Sequence, residues 1–163
     1  MGNKRTAYIG MLLALAFILS YVEHLLPISI GVPGVKIGLA NMVVIVAMET
    51  VGKKEAFVLS MVRVLLMAFT FSNFSMMLYS VSGALLSYAV MYLLIKTEKF
   101  SYMGISAAGG VAHNLGQIIV AVFLLDSAGL LYYMPVLIIT GTLSGIAIGL
   151  LSSVIISRVK RDT

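Results

Sequence analysis

The sequence predicts an all-α integral membrane protein of six transmembrane helices, with both ends of the chain in the cytoplasm. Three observations lead there. Hydrophobic residues make up 61% of the 163 and charged residues only 10%, with a mean hydropathy of +1.09, whereas a soluble domain carries about 45–50% apolar and about 25% charged residues. The apolar residues fall into six runs, most of them near the 17–25 residues that a helix needs to cross a bilayer. Membrane strands would instead alternate polar and apolar residues over about ten positions, and no such alternation is present. With the N-terminus inside, nine basic residues collect on the cytoplasmic side: Lys4, Arg5, Lys53, Lys54, Lys96, Lys99, Arg158, Lys160 and Arg161. Only Lys36 falls in an outer loop. This asymmetry sets orientation, and it accounts for the net charge of +5 without nucleic acid, since no basic stripe interleaved with aromatics occurs.

The first helix is expected over 6–26. It follows a basic start, runs for about twenty residues and lacks a small-residue cleavage site, so it reads as an uncleaved span rather than a secretory signal. "MGNKRT" also fits a loose myristoylation pattern. Glu23 and His24 close this helix. The segment after it holds Pro27, Gly31, Pro33, Gly34, Lys36 and Asn41, a density of Pro and Gly that makes irregular backbone. Such backbone is tolerated at membrane depth where it lines a cavity, so a loop over 27–41 is expected to cap a site.

The second helix, 37–51, is short for a span. Its Glu49 stands four residues before Lys53, a spacing that suits an interfacial pair. The third helix, 56–72, carries Arg63 well inside the apolar run. An arginine near a helix centre costs about 2.5–3.5 kcal/mol on insertion scales. Two readings stand side by side: a structural ion pair, or a fixed positive charge facing an anionic ligand. The "NFS" at 73–75 fits a glycosylation acceptor but lies in a tight connection. The fourth helix is expected over 75–95.

The fifth helix, 102–125, contains "GVAHNLGQIIVA", where His113, Asn114 and Gln117 lie within about 100° of arc near mid-membrane. Ala108, Ala112 and Gly116 repeat every four residues beside them, and the sixth helix, 132–157, has Gly141, Gly145 and Gly149 at the same spacing. Small residues in that register let helices approach closely. The polar arc is therefore either interhelical hydrogen bonding or one wall of a binding site.

Several chemistries are excluded. There is no Cys for disulfides, thiolate catalysis or Cys-ligated zinc, and His113 has no second His or carboxylate at metal-ligand spacing. No Ser has a nucleophile-elbow context, and "VGKKEA" lacks the spacing of a phosphate-binding loop. No metal or cofactor is expected, and no enzymatic activity in this chain.

"PGVKIGLANMV", "RVLL", "YSVSGALLSYAVMYLL", "GGVAHNLGQIIVA" and "YMPVLIITGTLSGIAIG" together resemble the Gx transporter family, often labelled heptaprenyl diphosphate synthase component I. That family in turn resembles the substrate-binding S components of energy-coupling factor (ECF) vitamin transporters. The resemblance implies an S-component-like fold, an outward pocket gated by the first outer loop, and coupling to an ECF transmembrane subunit with two ATPase subunits. An Ala-x-x-x-Ala docking surface is common on the first helix of such proteins; here its nearest versions are Gly10 with Ala14 and Ala16 with Ser20. A synthase would need clustered acidic residues for Mg-diphosphate, and the aspartates here are Asp126 and Asp162, far apart.

The expected function is thus the substrate-binding membrane component of an uptake transporter in a cell membrane, bacterial by expectation. Its ligand would be anionic or phosphorylated, of isoprenoid or cofactor type. Glu23, Lys36, Asn41, Arg63, His113, Asn114 and Gln117 are its candidate binding residues. The alternatives are a non-catalytic subunit beside a prenyl diphosphate synthase or an electron-transfer complex, and an autonomous carrier, whose inverted repeat is not evident.

Overall fold

The computed structural model describes residues 2–25 and 38–161. They form six α-helices: α1 Gly2–Leu25, α2 Leu39–Thr50, α3 Lys53–Phe71, α4 Phe74–Thr97, α5 Tyr102–Leu125 and α6 Met134–Arg161, with a 3-10 turn over Ala128–Tyr133 leading into α6. No strand occurs among the described residues.

Helices α1, α4, α5 and the run from Ala128 through α6 are long and apolar enough to cross a membrane, so the chain is a multi-pass membrane protein. Of the six spans expected, the other two helices fall short of that measure of length and apolarity. At 12 residues, α2 rises only about 18 Å, short of the ~30 Å hydrocarbon core. Helix α3 has 19 residues, but it opens on Lys53, Lys54 and Glu55 and carries Arg63, too many charges for a span defined by apolarity.

Local chemistry explains the ends. Asn73 caps α4 by accepting from the Met76 N–H at 2.9 Å, which gives the side chain of the "NFS" triplet a structural role. Ser101 caps α5 through the Gly104 N–H. Between α2 and α3 the chain turns at Gly52, whose φ of 134° is open to glycine at little cost. That turn also corrects the expected Glu49–Lys53 pair. The two residues do not share a continuous helix, so i, i+4 geometry does not apply. Glu49 Oε2 instead accepts from Lys160 Nζ at 2.8 Å and from the Tyr102 hydroxyl at 2.9 Å, while the Lys53 ammonium sits 5.3 Å from the centre of the Tyr92 ring.

Helix α2 is the hub, packing against α1, α3, α5 and α6. Seven of its 12 residues, Ala40 and Val43 to Met48, are buried, as befits a helix apolar all round. The continuous apolar core joins them to Leu12, Ala16, Leu59, Met91, Ile105 and Ile156, toward the end of the bundle that bears both termini. Helix α5 is sandwiched between α4 and α6. A Cβ at Gly145 would lie 2.5 Å from the Ala107 Cα, and one at Gly149 2.5 Å from the Met103 Cα, so the expected α6 glycine stripe is what seats α6 on the α5 backbone. Gly116 faces the other way, against the Ser82 carbonyl and Gly83 of α4.

Candidate functional site

The end of α1, the start of α2, the second half of α3, the first half of α4 and the middle of α5 converge at the end of the bundle opposite the termini. They enclose a polar cavity of about 60 Å³ lined by Ser20, Glu23 and His24, by Gly38 and Asn41, by Arg63 and Ser72, by Ser80 and by His113, with Val64, Met67 and Ala68 completing the wall. A larger groove of about 310 Å³ runs between α1 and α3 past Ile9, Leu13, Val58 and Val62. Apart from Lys54 and Glu55 its lining is apolar, and in a bilayer acyl chains suit such a surface. The smaller cavity holds the groups that cost most to bury, which makes it the candidate site.

Arg63 is the most demanding of them. It is only 7% exposed; Nη1 donates to Ser20 Oγ at 3.1 Å, and the buried Nε has no hydrogen-bond partner among the described residues. A buried guanidinium needs compensating charge and acceptors. Glu23 supplies charge: its carboxylate acts electrostatically on Arg63 while accepting the Gly38 N–H at the start of α2. One carboxylate thus joins the end of α1, the start of α2 and the charge on α3.

Gly38, Asn41 and His113 also border a second chamber of about 20 Å³, reached by Ser106, Asn114 and Ser144. That volume and those polar groups fit a single water molecule. The half-buried Asn41 amide makes no hydrogen bond to the described residues and faces both spaces.

The family model for heptaprenyl diphosphate synthase component I matches residues 12–155. The chain belongs to this family. No curated protein and no solved structure matches it. The match spans every candidate site residue and stops short of the basic end of α6.

Within this family member the seven expected site residues divide. Glu23, Asn41, Arg63 and His113 share the larger cavity. Asn114 is buried and donates through Nδ2 to the Leu137 carbonyl of α6 at 2.8 Å, so it bonds helices together while bordering the inner chamber. Gln117 packs against Gly83 of α4 and lines neither space. Lys36 and the 27–37 part of the capping loop lie outside the described residues. Sequence reasoning missed Ser20, Ser72 and Ser80 and passed over His24. Ser20, Glu23 and His24 stand at i, i+3 and i+4, a one-face helical signal present in the sequence. Ser72, just past the end of α3, and Ser80 of α4 have no such signature, because only the packing of the helices brings them inward.

Proposed function

We propose that the chain is the substrate-binding membrane component of a small-molecule uptake system, of S-component type, and that Arg63 holds an anionic group of its ligand. The observation that carries this reading is a buried guanidinium whose Nε has no hydrogen-bond partner among the described residues, set in a polar cavity at one end of an otherwise apolar bundle. A purely structural arginine is expected to satisfy its donors within the protein. Orientation by the positive residues, with both termini cytoplasmic, makes that end the outer one and the protein a receiver of external ligand in the bacterial plasma membrane.

A coupling partner would meet α1. Ala16 is fully buried and Ser20 is bonded to Arg63, which leaves Gly10 and Ala14, both exposed, as the small-residue surface for a transmembrane subunit with its two ATPase chains. The alternative is the role in the family's description, as a membrane subunit beside a prenyl diphosphate synthase. Diphosphate chemistry requires clustered carboxylates, and among the described residues no three His, Asp or Glu side chains come together, so catalysis would rest with another chain.

Native mass spectrometry of the purified protein tests the reading. A retained small molecule that is lost in Arg63→Gln but kept in Gln117→Ala supports it. Copurification with a synthase chain and no small ligand, in both wild type and variants, sinks it.

A further inference from the structure

Two stripes of side chains border the groove between α1 and α3. On α3 Lys54, Val58 and Val62 line it at i, i+4 and i+8, and on α1 its Ile9 and Leu13 continue at the same spacing the face that Arg5 begins. Each stripe is thus headed by a basic residue at the end of the bundle that bears the termini. The two cations differ in what they hold. Arg5 Nη2 donates to the Val51 carbonyl at 3.0 Å and pairs with Glu55, the acidic residue of the groove wall. Lys54 is exposed and makes no hydrogen bond or ion pair among the described residues. The groove therefore ends in one uncommitted ammonium, and the remainder of its wall is Ile, Leu and Val.

We infer that this groove holds an acyl chain of an anionic phospholipid whose phosphate pairs with Lys54; the inference is independent of the ligand-binding reading above. From Lys54 to Val62 the wall rises about 12 Å, most of the ~15 Å that one leaflet contributes to the hydrocarbon core. A slot one leaflet deep, apolar along its length and cationic at its water end, matches the chain and head of one lipid. With both termini cytoplasmic the lipid belongs to the inner leaflet, where basic pockets between membrane helices bind anionic head groups. A zwitterionic head carries its own ammonium beside the phosphate and gains less from Lys54. A partner helix fits this surface less well, because helices approach closely over small residues and none lines the groove. The exposed small residues of α1, Gly10 and Ala14, stand outside it.

Native mass spectrometry of the full chain, released from bilayer discs of phosphatidylglycerol and phosphatidylcholine in equal amounts with matched acyl chains, tests the inference. Wild type should retain phosphatidylglycerol in roughly fivefold excess over phosphatidylcholine, the worth of one lysine near a membrane surface. Lys54→Gln should erase that excess. Lys54→Arg should keep it, as should Lys99→Gln, which removes an exposed lysine between α4 and α5. Val58 is 58% exposed, so Val58→Trp fills the slot without disturbing the core and should lower retention of both lipids. Arg63→Gln should leave lipid retention as in wild type, which keeps this result separate from that of the ligand-binding reading. Equal retention of the two lipids by wild type overturns the inference, as does an excess that survives Lys54→Gln or falls equally in Lys99→Gln. A copurifying protein chain that Val58→Trp releases would give the groove to a partner helix and overturn it as well.

Discussion

At the residue scale, burial alone does not say what a polar side chain is for. Asn114 and Arg63 are 4% and 7% exposed, yet Asn114 spends its amide N–H on the Leu137 carbonyl, while the Arg63 Nε at the cavity has no partner among the described residues. The first is a helix–helix bond. Interhelical hydrogen bonds in membrane bundles are worth about 0.6–1.7 kcal/mol, and the Leu137 carbonyl keeps a partner in Thr140 Oγ1 at 3.3 Å. Asn114→Ala should therefore lower unfolding stability by about 1 kcal/mol while a bound ligand is retained. Loss of the ligand at unchanged stability would reverse that assignment. His113, one residue earlier, turns to the cavity because successive helix positions differ by about 100°, enough to separate two neighbours that a sequence places on one arc.

At the element scale, the contact between α5 and α6 depends on missing side chains. The Cβ of Gly145→Ala would come 2.5 Å from the Ala107 Cα and the Ser106 carbonyl oxygen, and backbone cannot move aside as a flexible side chain can. Gly145→Ala should cost about 1–3 kcal/mol, the range for overpacking. Gly10→Ala on α1 meets nothing within 4 Å and should gain up to about 1 kcal/mol from helix propensity. Paired melting curves in one detergent check both signs; equal shifts would show that the α5–α6 contact is looser than described. Element limits were largely legible. The expected 102–125 coincides with α5 because a serine cap begins it. Helices α1 and α6 run four residues longer at their basic ends, since a helix that leaves the lipid need not end where apolarity does. Helix α2 begins later than expected because Gly38, with φ of 82°, precedes it.

At the scale of the whole molecule, the two ends of the bundle differ in kind. The end bearing the termini is closed by apolar packing and by the Glu49–Lys160–Tyr102 and Arg5–Glu55 contacts. The opposite end holds the polar cavity. Lys160 is half exposed and Glu49 is only 15% exposed, so Glu49→Gln should cost on the order of 1 kcal/mol, read as a lower melting midpoint. No change would mean that α2 is held by its apolar contacts alone. Orientation is open to a direct check because the chain has no native cysteine. A membrane-impermeant maleimide applied to intact cells should label Ser127→Cys and spare Lys99→Cys; the reverse pattern would place the cavity on the inner side.

Composition, run length and capping residues determined by themselves that the chain is helical, that it lives in a membrane and roughly where each helix begins and ends. These properties belong to contiguous stretches, because backbone hydrogen bonds in a helix close within four residues and hydropathy sums along the chain. Partnership was decided only by the tertiary structure. Glu49 meets Lys160, 111 residues away, rather than Lys53. Glu23 joins Arg63 at one cavity, and the polar triplet of α5 is shared out among α4, α6 and that cavity. Such choices depend on how each helix is rotated about its axis. That rotation follows from which glycine faces let which backbones touch, a relation between surfaces that no single stretch of sequence contains.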